Sequence, residues 1–226
     1  MLAKSRPAEG TVISTFHQTR GKGQSGSVWE GEIHSHLAFT TILYPVKVPA
    51  PAQFLLNQAV TLAVVDLLRS LSIPDPKIKW PNDILLAHRK VCGILIENGV
   101  SGNRLQHSIV GIGLNVNQPS FPPHLPRAGS LCQIAGREFD LESLRDALCL
   151  CLERRYLSLR QADNRSLIRE YHDVLYGLGE AISFRKPGGA VWTGIPEGVS
   201  PQGLLKVRKP GGKIAFFQPK QVEWVW

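Results

Sequence analysis

The residues from His17 to Trp29, HQTRGKGQSGSVW, combine three glycines and two cations with no carboxylate and no aliphatic side chain before Val28. Such a run has little to bury and much backbone entropy to lose, so it is a loop and not a core strand. Backbone N–H groups around Gly21, Gly23 and Gly26 can turn towards an anion, and Lys22 adds a charge. A phosphate-bearing ligand suits the loop, and so does an ordinary surface hairpin. A Walker loop is excluded, because no Gly-Lys-Ser/Thr follows, and the glycine spacing is not that of a dinucleotide fingerprint.

Three more clusters have chemical potential. Lys79-Trp80-Pro81-Asn82-Asp83 packs a cation, a flat apolar ring, a rigid turn, an amide and a carboxylate into five residues. The alternative is a plain Pro-Asn turn beside a core tryptophan. Lys90 opens the β-branched run KVCGILIE, where it could shield a sheet edge, and Gly93 would let a ligand approach the backbone. Gly111 and Gly113 lead into Asn115 and Asn117, the kind of strand end where ligands bind and where tight turns also occur.

These residues need a scaffold. TVISTF (11–16) reads as a strand, and His36 to Val48 as a second one ending at Pro49 and Pro51. Residues 54–71 read as a core helix, with Gln53, Asn57 and Thr61 as its polar edge; these polar residues, with Asp66 and Arg69, argue against a membrane span. DILLA (83–87) and KVCGILIE (90–97) read as a hairpin turning at His88-Arg89. Lys90 then falls opposite Ala87, with Asp83 further along the facing strand. A strand over 106–115 precedes a proline-rich connector. Asp140 should cap a helix carrying Leu141, Leu144, Leu148, Leu152, Tyr156 and Leu159 on one stripe, and a further helix covers about 166–176. After Leu178, Pro/Gly turns recur about every ten residues, as in a small barrel.

The 226 residues suffice for one medium domain with a small module, and 43% hydrophobic with 19% charged residues excludes a disordered chain. A net charge of +8 favours a nucleotide, a nucleic acid or an acidic protein as partner. Cys92, Cys132, Cys149 and Cys151 form no CxxC pair, which fits a reduced, cytoplasmic protein and no zinc site.

In order and spacing, QTRGKGQSGSVW, KWPNDILL, RKVCGILIE and GIGLNVN resemble the bacterial biotin–protein ligases, and the closing FQPKQVEWVW resembles their C-terminal module. The KWPND pentapeptide followed by a lysine and a Gly-Ile-Leu strand distinguishes that family from the lipoate ligases. The resemblance implies an α+β fold. Residues 1–177 would be a catalytic domain with a mixed β-sheet and flanking helices, and 178–226 an SH3-like β-barrel. The helix-turn-helix repressor domain of some members is not seen. The implied reaction joins biotin and ATP into biotinyl-adenylate, then passes biotin to a lysine of a biotin carboxyl carrier protein domain. Lys90 is the expected catalytic cation beside the biotin carboxylate and the α-phosphate. By motif position, Gln18, Gly21, Lys22, Gly23 and Gln24 line the biotin and phosphate sites, and Trp29 anchors the loop. Lys79, Trp80, Asn82, Asp83, Gly93 and Asn115 belong to the adenylate pocket. Mg²⁺ should accompany the triphosphate, its ligands unassigned. Neither DNA nor membrane is an expected partner. The family includes monomers and sheet-edge dimers, which makes a homodimer an open expectation.

Two departures stand out. The family's loop usually reads GRGRxGRxW, whereas here Lys22, Gln24 and Ser27 stand at arginine positions, so the grip on the adenylate should be weaker. The family's Ser-Thr-Asn strand end and preceding helix are not found ahead of Ala8-Glu9-Gly10-Thr11-Val12-Ile13. Either the true start lies upstream or the biotin pocket is impaired. Two competing readings are an inactive paralogue and a basic nucleic-acid module built on Trp192, Phe216, Phe217, Trp224 and Trp226.

Overall fold

The computed structural model describes residues 6–26, 28–161 and 163–225. Ser27 and Trp226, both named above, lie outside them. The chain is α+β, with two large sheets, a two-stranded ribbon and a helical layer.

The first sheet has six strands in the order β1-β4-β8-β7-β6-β5, namely β1 (Val12–Thr15), β4 (His36–Leu43), β5 (Lys77–Lys79), β6 (Asp83–Leu86), β7 (Arg89–Ser101) and β8 (Arg104–Asn115). Its ladders are antiparallel throughout, where a mixed sheet was expected. Parallel pairing is confined to isolated bridges, Ile78–Leu175 and Lys90–Ala128. The glycine loop folds as β2 (Gly21–Lys22) and β3 (Val28–Trp29) around a 3-10 turn at Gln24–Gly26.

One face of the sheet is covered by α1 (Phe54–Ser70), α3 (Leu141–Ser158) and α4 (Arg165–Asp173); a short α2 (Leu131–Ala135) follows the proline-rich connector. Period-two alternation sends Leu37, Phe39 and Leu43 of β4 and Val110, Ile112 and Leu114 of β8 into this layer, where all are buried. α1 is apolar enough to span a membrane by length and composition, but it is the core helix, wedged between sheet, α3 and α4. Its expected polar edge runs from the exposed Gln53 through the half-buried Asn57 into the core. Thr61 is fully buried and turns its hydroxyl back to the Asn57 carbonyl at 2.9 Å. α3 follows its sequence pattern. Asp140 caps it by accepting from the Ser143 N–H at 2.8 Å, and Leu141, Leu144, Leu148, Leu152 and Tyr156 are buried.

The second sheet is antiparallel, in the order β12-β11-β10-β9-β13: β9 (Ile182–Arg185), β10 (Val191–Val199), β11 (Leu205–Arg208), β12 (Ile214–Phe217) and β13 (Glu223–Val225). β10 serves both halves, pairing first with β9 and then, from Ile195 onward, with β11 in a ladder that carries a bulge between Pro196 and Gly198. Among the described residues no ladder joins β12 to β13, so the strands form a curved sheet without complete closure. Phe184, Trp192, Phe217 and Trp224 pack on one another with ring centroids 4.9–5.7 Å apart. They fill this sheet's interior and do not form a stacking platform for bases. The buried Trp80 indole, which donates to the Gly203 carbonyl at 2.9 Å, joins the first part of the chain to the second sheet, and His172 of α4, whose Nε2 accepts from the Val199 N–H at 3.0 Å, joins the helical layer to it.

Candidate functional site

The uncovered face of the first sheet carries the motifs, and register explains how. Lys79 lies opposite Asp83, Asp83 opposite Gly93, Gly93 opposite Gly113, Gly113 opposite Ala38 and Ala38 opposite Thr15. Directly paired residues share a face. The chemistry-bearing positions of three separate motifs therefore fall in one row that crosses all six strands. The middle of the row has no side chain larger than methyl, so it is a trough. One end is charged.

Trp29 closes over the trough. A methyl group built on Gly113 would lie 2.5 Å from its ring, and one on Gly93 would lie 3.1 Å away. Gly21 is equally constrained, since a side chain there would meet the Trp29 carbonyl oxygen at 2.3 Å and Gln18 Oε1 at 3.0 Å. The glycines of the loop and of the sheet thus let a large ring approach two backbones at once. The Trp29 Nε1 is buried without a hydrogen-bond partner.

Lys90 reaches the row through a bulge. The hairpin turns at Ala87-His88, both with positive φ, and not at His88-Arg89. Leu86 consequently pairs with Arg89 and Leu85 with Lys90, so Lys90 is not opposite Ala87 as a turn at His88-Arg89 requires. The next pair is Ile84 with Cys92, leaving Val91 extra. Val91 and Cys92 are both fully buried on the helix side. Uninterrupted alternation from Gly93 would bury Lys90; the extra residue turns it back to the trough. Its Nζ lies 2.7 Å from Asp83 Oδ1 and 5.9 Å from the centre of the Trp29 ring.

Asp83 also faces Lys79, whose Nζ is 3.8 Å from Oδ2. Burial pushes the Lys79 ammonium below the usual lysine range; Asp83 opposes this, and the neighbouring Lys90 and Arg127 charges reinforce it. Two ammonium groups thus flank one carboxylate, and the Arg127 charge bears on one of them, an arrangement that gains from an added anion. Arg127 sits in the proline-rich connector and carries no motif, so sequence reasoning passed over it. Spacing offers no signal for it, because a bridge outside the named strands brings it here.

The other expected site residues divide. Asn82 is held on β7 in two ways: its carbonyl accepts from the Ile94 N–H at 3.0 Å, and its side-chain amide donates to the Ile94 carbonyl. Lys22 is exposed on the loop, with Gly23 and Gln24 half-buried behind it. Trp80 departs from its expected role as an apolar wall for a ligand. It is only 2% exposed and its N–H is committed to Gly203, so it acts as a seam between the sheets. Asn115 donates from Nδ2 to the Gly129 carbonyl at 2.9 Å, which fastens the connector, while its Oδ1 is buried without a partner. Directly opposite Asn115 is His36, also missed. Its ring is fully buried, Nδ1 lies 2.8 Å from the Glu32 carbonyl oxygen, and Nε2 has no partner. Three unpartnered buried polar atoms beside the trough, Trp29 Nε1, His36 Nε2 and Asn115 Oδ1, mark a place that can exchange hydrogen bonds with something else.

Two neighbouring features are separate from the trough. A cavity of about 490 Å³ lies on the helix side, between β1, β4, α1 and α3, lined by residues such as Val12, Phe39, Leu56 and Leu152. It is largely apolar, with Glu9, Glu153 and Arg160 also in its lining, and contains none of the row. Among the described residues no group of three or more His, Cys, Asp or Glu could hold a metal ion, and Asp83 is already engaged by two ammonium groups.

Residues 2–115, which contain every strand of this trough, match the model of the Biotin/lipoate A/B protein ligase family. The chain belongs to that family. Among its relatives, the bifunctional ligase/repressor BirA of Bacillus spizizenii is 30% identical over 214 residues, covering 93% of this chain and 65% of the relative. The BirA of Bacillus subtilis is 31% identical and 63% covered, so the chain spans about two thirds of the length of these two relatives. The biotin–[acetyl-CoA-carboxylase] ligase of Paracoccus denitrificans is 32% identical over 206 residues, covering 87% of this chain and 83% of that one. A solved biotin protein ligase from Aquifex aeolicus, in complex with biotin and ATP, superposes with a TM-score of 0.78 at 24% identity over 97% of this chain and 90% of that one. At that identity the likeness concerns the fold.

Proposed function

We propose that the protein is a biotin–protein ligase that attaches biotin to a lysine of a biotin carboxyl carrier protein domain at the expense of ATP. The observation that carries this reading is the row itself, a glycine trough under an aromatic cover with Lys90 turned into its cationic end. A long apolar acid can lie in such a trough with its carboxylate at Lys90. In the first step a biotin carboxylate oxygen attacks the α-phosphorus of ATP; the bond to the β-phosphate oxygen breaks and pyrophosphate leaves with the electron pair. In the second, the acceptor lysine amine attacks the acyl carbon of the mixed anhydride, AMP leaves, and the amine proton passes to solvent. Lys90 offsets the repulsion between carboxylate and phosphate as they meet. Asp83 holds the ammonium in place. Loop 21–29 and Trp29 cover the trough and keep water from the anhydride.

Gln18, Gly21, Lys22, Gly23 and Gln24 are assigned to the loop side of the pocket, and Asn82, Asp83 and Gly93 to its floor. Mg²⁺ enters with ATP as the counterion of the triphosphate, part of the substrate. Residues 1–177 are read as the catalytic domain and 178–226 as a C-terminal domain. The four free thiols and the need for ATP suit the cytoplasm. Incubation with ATP, biotin and a carrier domain should label a single lysine, and Lys90→Ala should reduce biotin-dependent pyrophosphate exchange by ~10³-fold. A parent chain that binds a carrier domain but supports no exchange would place it among inactive paralogues instead.

A further inference from the structure

We propose that Arg127 grips the leaving-group end of the ATP triphosphate, at the rim of the cationic cluster formed by Lys79 and Lys90. The inference rests on the ligase reading and adds a residue to it. The connector after β8 is stapled to the flank of Lys90. The Lys90 N–H donates to the Arg127 carbonyl at 2.7 Å, and the Gly129 N–H donates to the Lys90 carbonyl at 2.9 Å. Ala128 is thereby bridged to Lys90 as a single parallel rung. From the other side the buried Asn115 amide holds the Gly129 carbonyl at 2.9 Å. Gly129 itself is packed so closely that a methyl group there would lie 2.7 Å from Arg89 Cβ. Arg127 is therefore fixed one residue away from the rung at the principal cation of the site.

Its side chain bears on the same cluster. The Arg127 charge acts on the Lys79 ammonium and on the Tyr176 phenol, which lies beside the β5 end of the row. The three cations differ in depth. The Lys79 side chain is 19% exposed and that of Lys90 39%, while Arg127 is on the surface. An α-phosphate held at Lys90 would send the β- and γ-phosphates outward, towards the exposed member of the set. Loop 21–29 offers one cation, Lys22, for the same task. A guanidinium fork suits terminal phosphate oxygens better than a single ammonium does. As the bond between the α-phosphorus and the bridging oxygen breaks, charge accumulates on the departing pyrophosphate, where Arg127 would meet it.

The test compares the full chain with Arg127→Ala, Arg127→Gln and Arg127→Lys, using Lys213→Ala as a surface-charge control. Biotin-dependent ATP–pyrophosphate exchange reads the first step, and transfer from separately prepared biotinyl-adenylate to a carrier domain reads the second. Arg127→Ala and Arg127→Gln should each raise KM for ATP by ~10-fold, with transfer from biotinyl-adenylate within about twofold of the parent; Arg127→Lys should recover part of the loss, and Lys213→Ala should behave as the parent. Unchanged KM for ATP in an active parent overturns the assignment to Arg127 alone. A loss as large in transfer as in exchange overturns it in favour of carrier docking. Equal losses in all three variants, with a lowered melting temperature, overturn it in favour of a structural role. A parent that makes no biotinyl-adenylate removes the ligase reading itself, and this inference with it.

Discussion

A methyl group at position 113 would come within 2.5 Å of the Trp29 indole, inside any permitted contact. The ring cannot yield by a small side-chain adjustment, because it also rests against position 93. Gly113→Ala should therefore lift Trp29 off the trough. Biotin affinity measured by titration calorimetry should fall by ~10-fold or more, with the melting temperature nearly unchanged since the loop contributes little to the core. Wild-type affinity in that variant would remove Trp29 from the pocket. The loop supplies a second residue-level prediction. Gln24 stands at a position where an arginine would add a forked contact to phosphate. In Gln24→Arg, biotinyl-adenylate should dissociate ~10-fold more slowly, as read by chasing labelled intermediate. Equal dissociation rates would mean that position 24 never meets the phosphate. Much of this site was legible from residue type. Lysines at 79 and 90, the carboxylate at 83 and glycines at 93 and 113 all advertise an anion and a close backbone approach. Trp80 is ambiguous in the sequence, because a tryptophan beside Pro81 looks the same whether it faces a ligand or a second sheet, and its N–H is engaged by the distant Gly203 carbonyl.

Elements converge on the site through register, and register is where sequence pattern gives the least guidance. His88-Arg89 carries the polar look of a turn, yet the chain reverses at Ala87-His88 with φ of +45° and +61°. Two non-glycine residues in the left-handed region cost energy that the hairpin must recover elsewhere. A separate irregularity one pair further on, the Val91 bulge, aims Lys90. Alternation alone, read from KVCGIL, would have sent that lysine into the core. Helices were easier to read: the stripe on α3 and the Asp140 cap are local signals, complete within a few turns. Ala87→Asn combined with His88→Gly should relieve the turn while preserving its length. The double variant should gain ~1 kcal/mol in urea denaturation, with pyrophosphate exchange unaltered. A loss of stability would mean that the His88 contact with the Tyr176 hydroxyl, at 3.2 Å, matters more than the backbone.

The whole molecule depends on two histidines that must stay neutral. His172 ties the helical layer to the second sheet by accepting the Val199 N–H at Nε2, which requires a bare lone pair there. His36 is sealed in the first sheet beside Gly31 and Asn115. Burial is the main cause that lowers both pKa values; hydrogen bonding to Glu32 and the charge of Asp173 oppose it at His36 and His172 respectively, and His17 adds to it at His36. In the unfolded chain each ring titrates near 6.5. Above that pH neither state holds the proton, and the contribution to stability is fully present. As pH falls below 6.5 the unfolded chain takes up protons that the fold refuses, so stability declines until the folded-state values are passed. Glu9 adds a second, more acidic decline. Burial raises its pKa, but hydrogen bonds from Tyr156, the Tyr44 N–H and Arg160 outweigh this and hold it below the usual range. Its contribution is lost only below about pH 4.5. Urea midpoints should therefore hold between pH 8 and 7, fall between pH 6.5 and 5, and fall again in stronger acid. His172→Gln, which keeps a polar side chain but cannot titrate, should start less stable at pH 7.5 and flatten the first decline. A parent curve level from pH 7.5 to 5 would show that neither ring is held neutral by the fold.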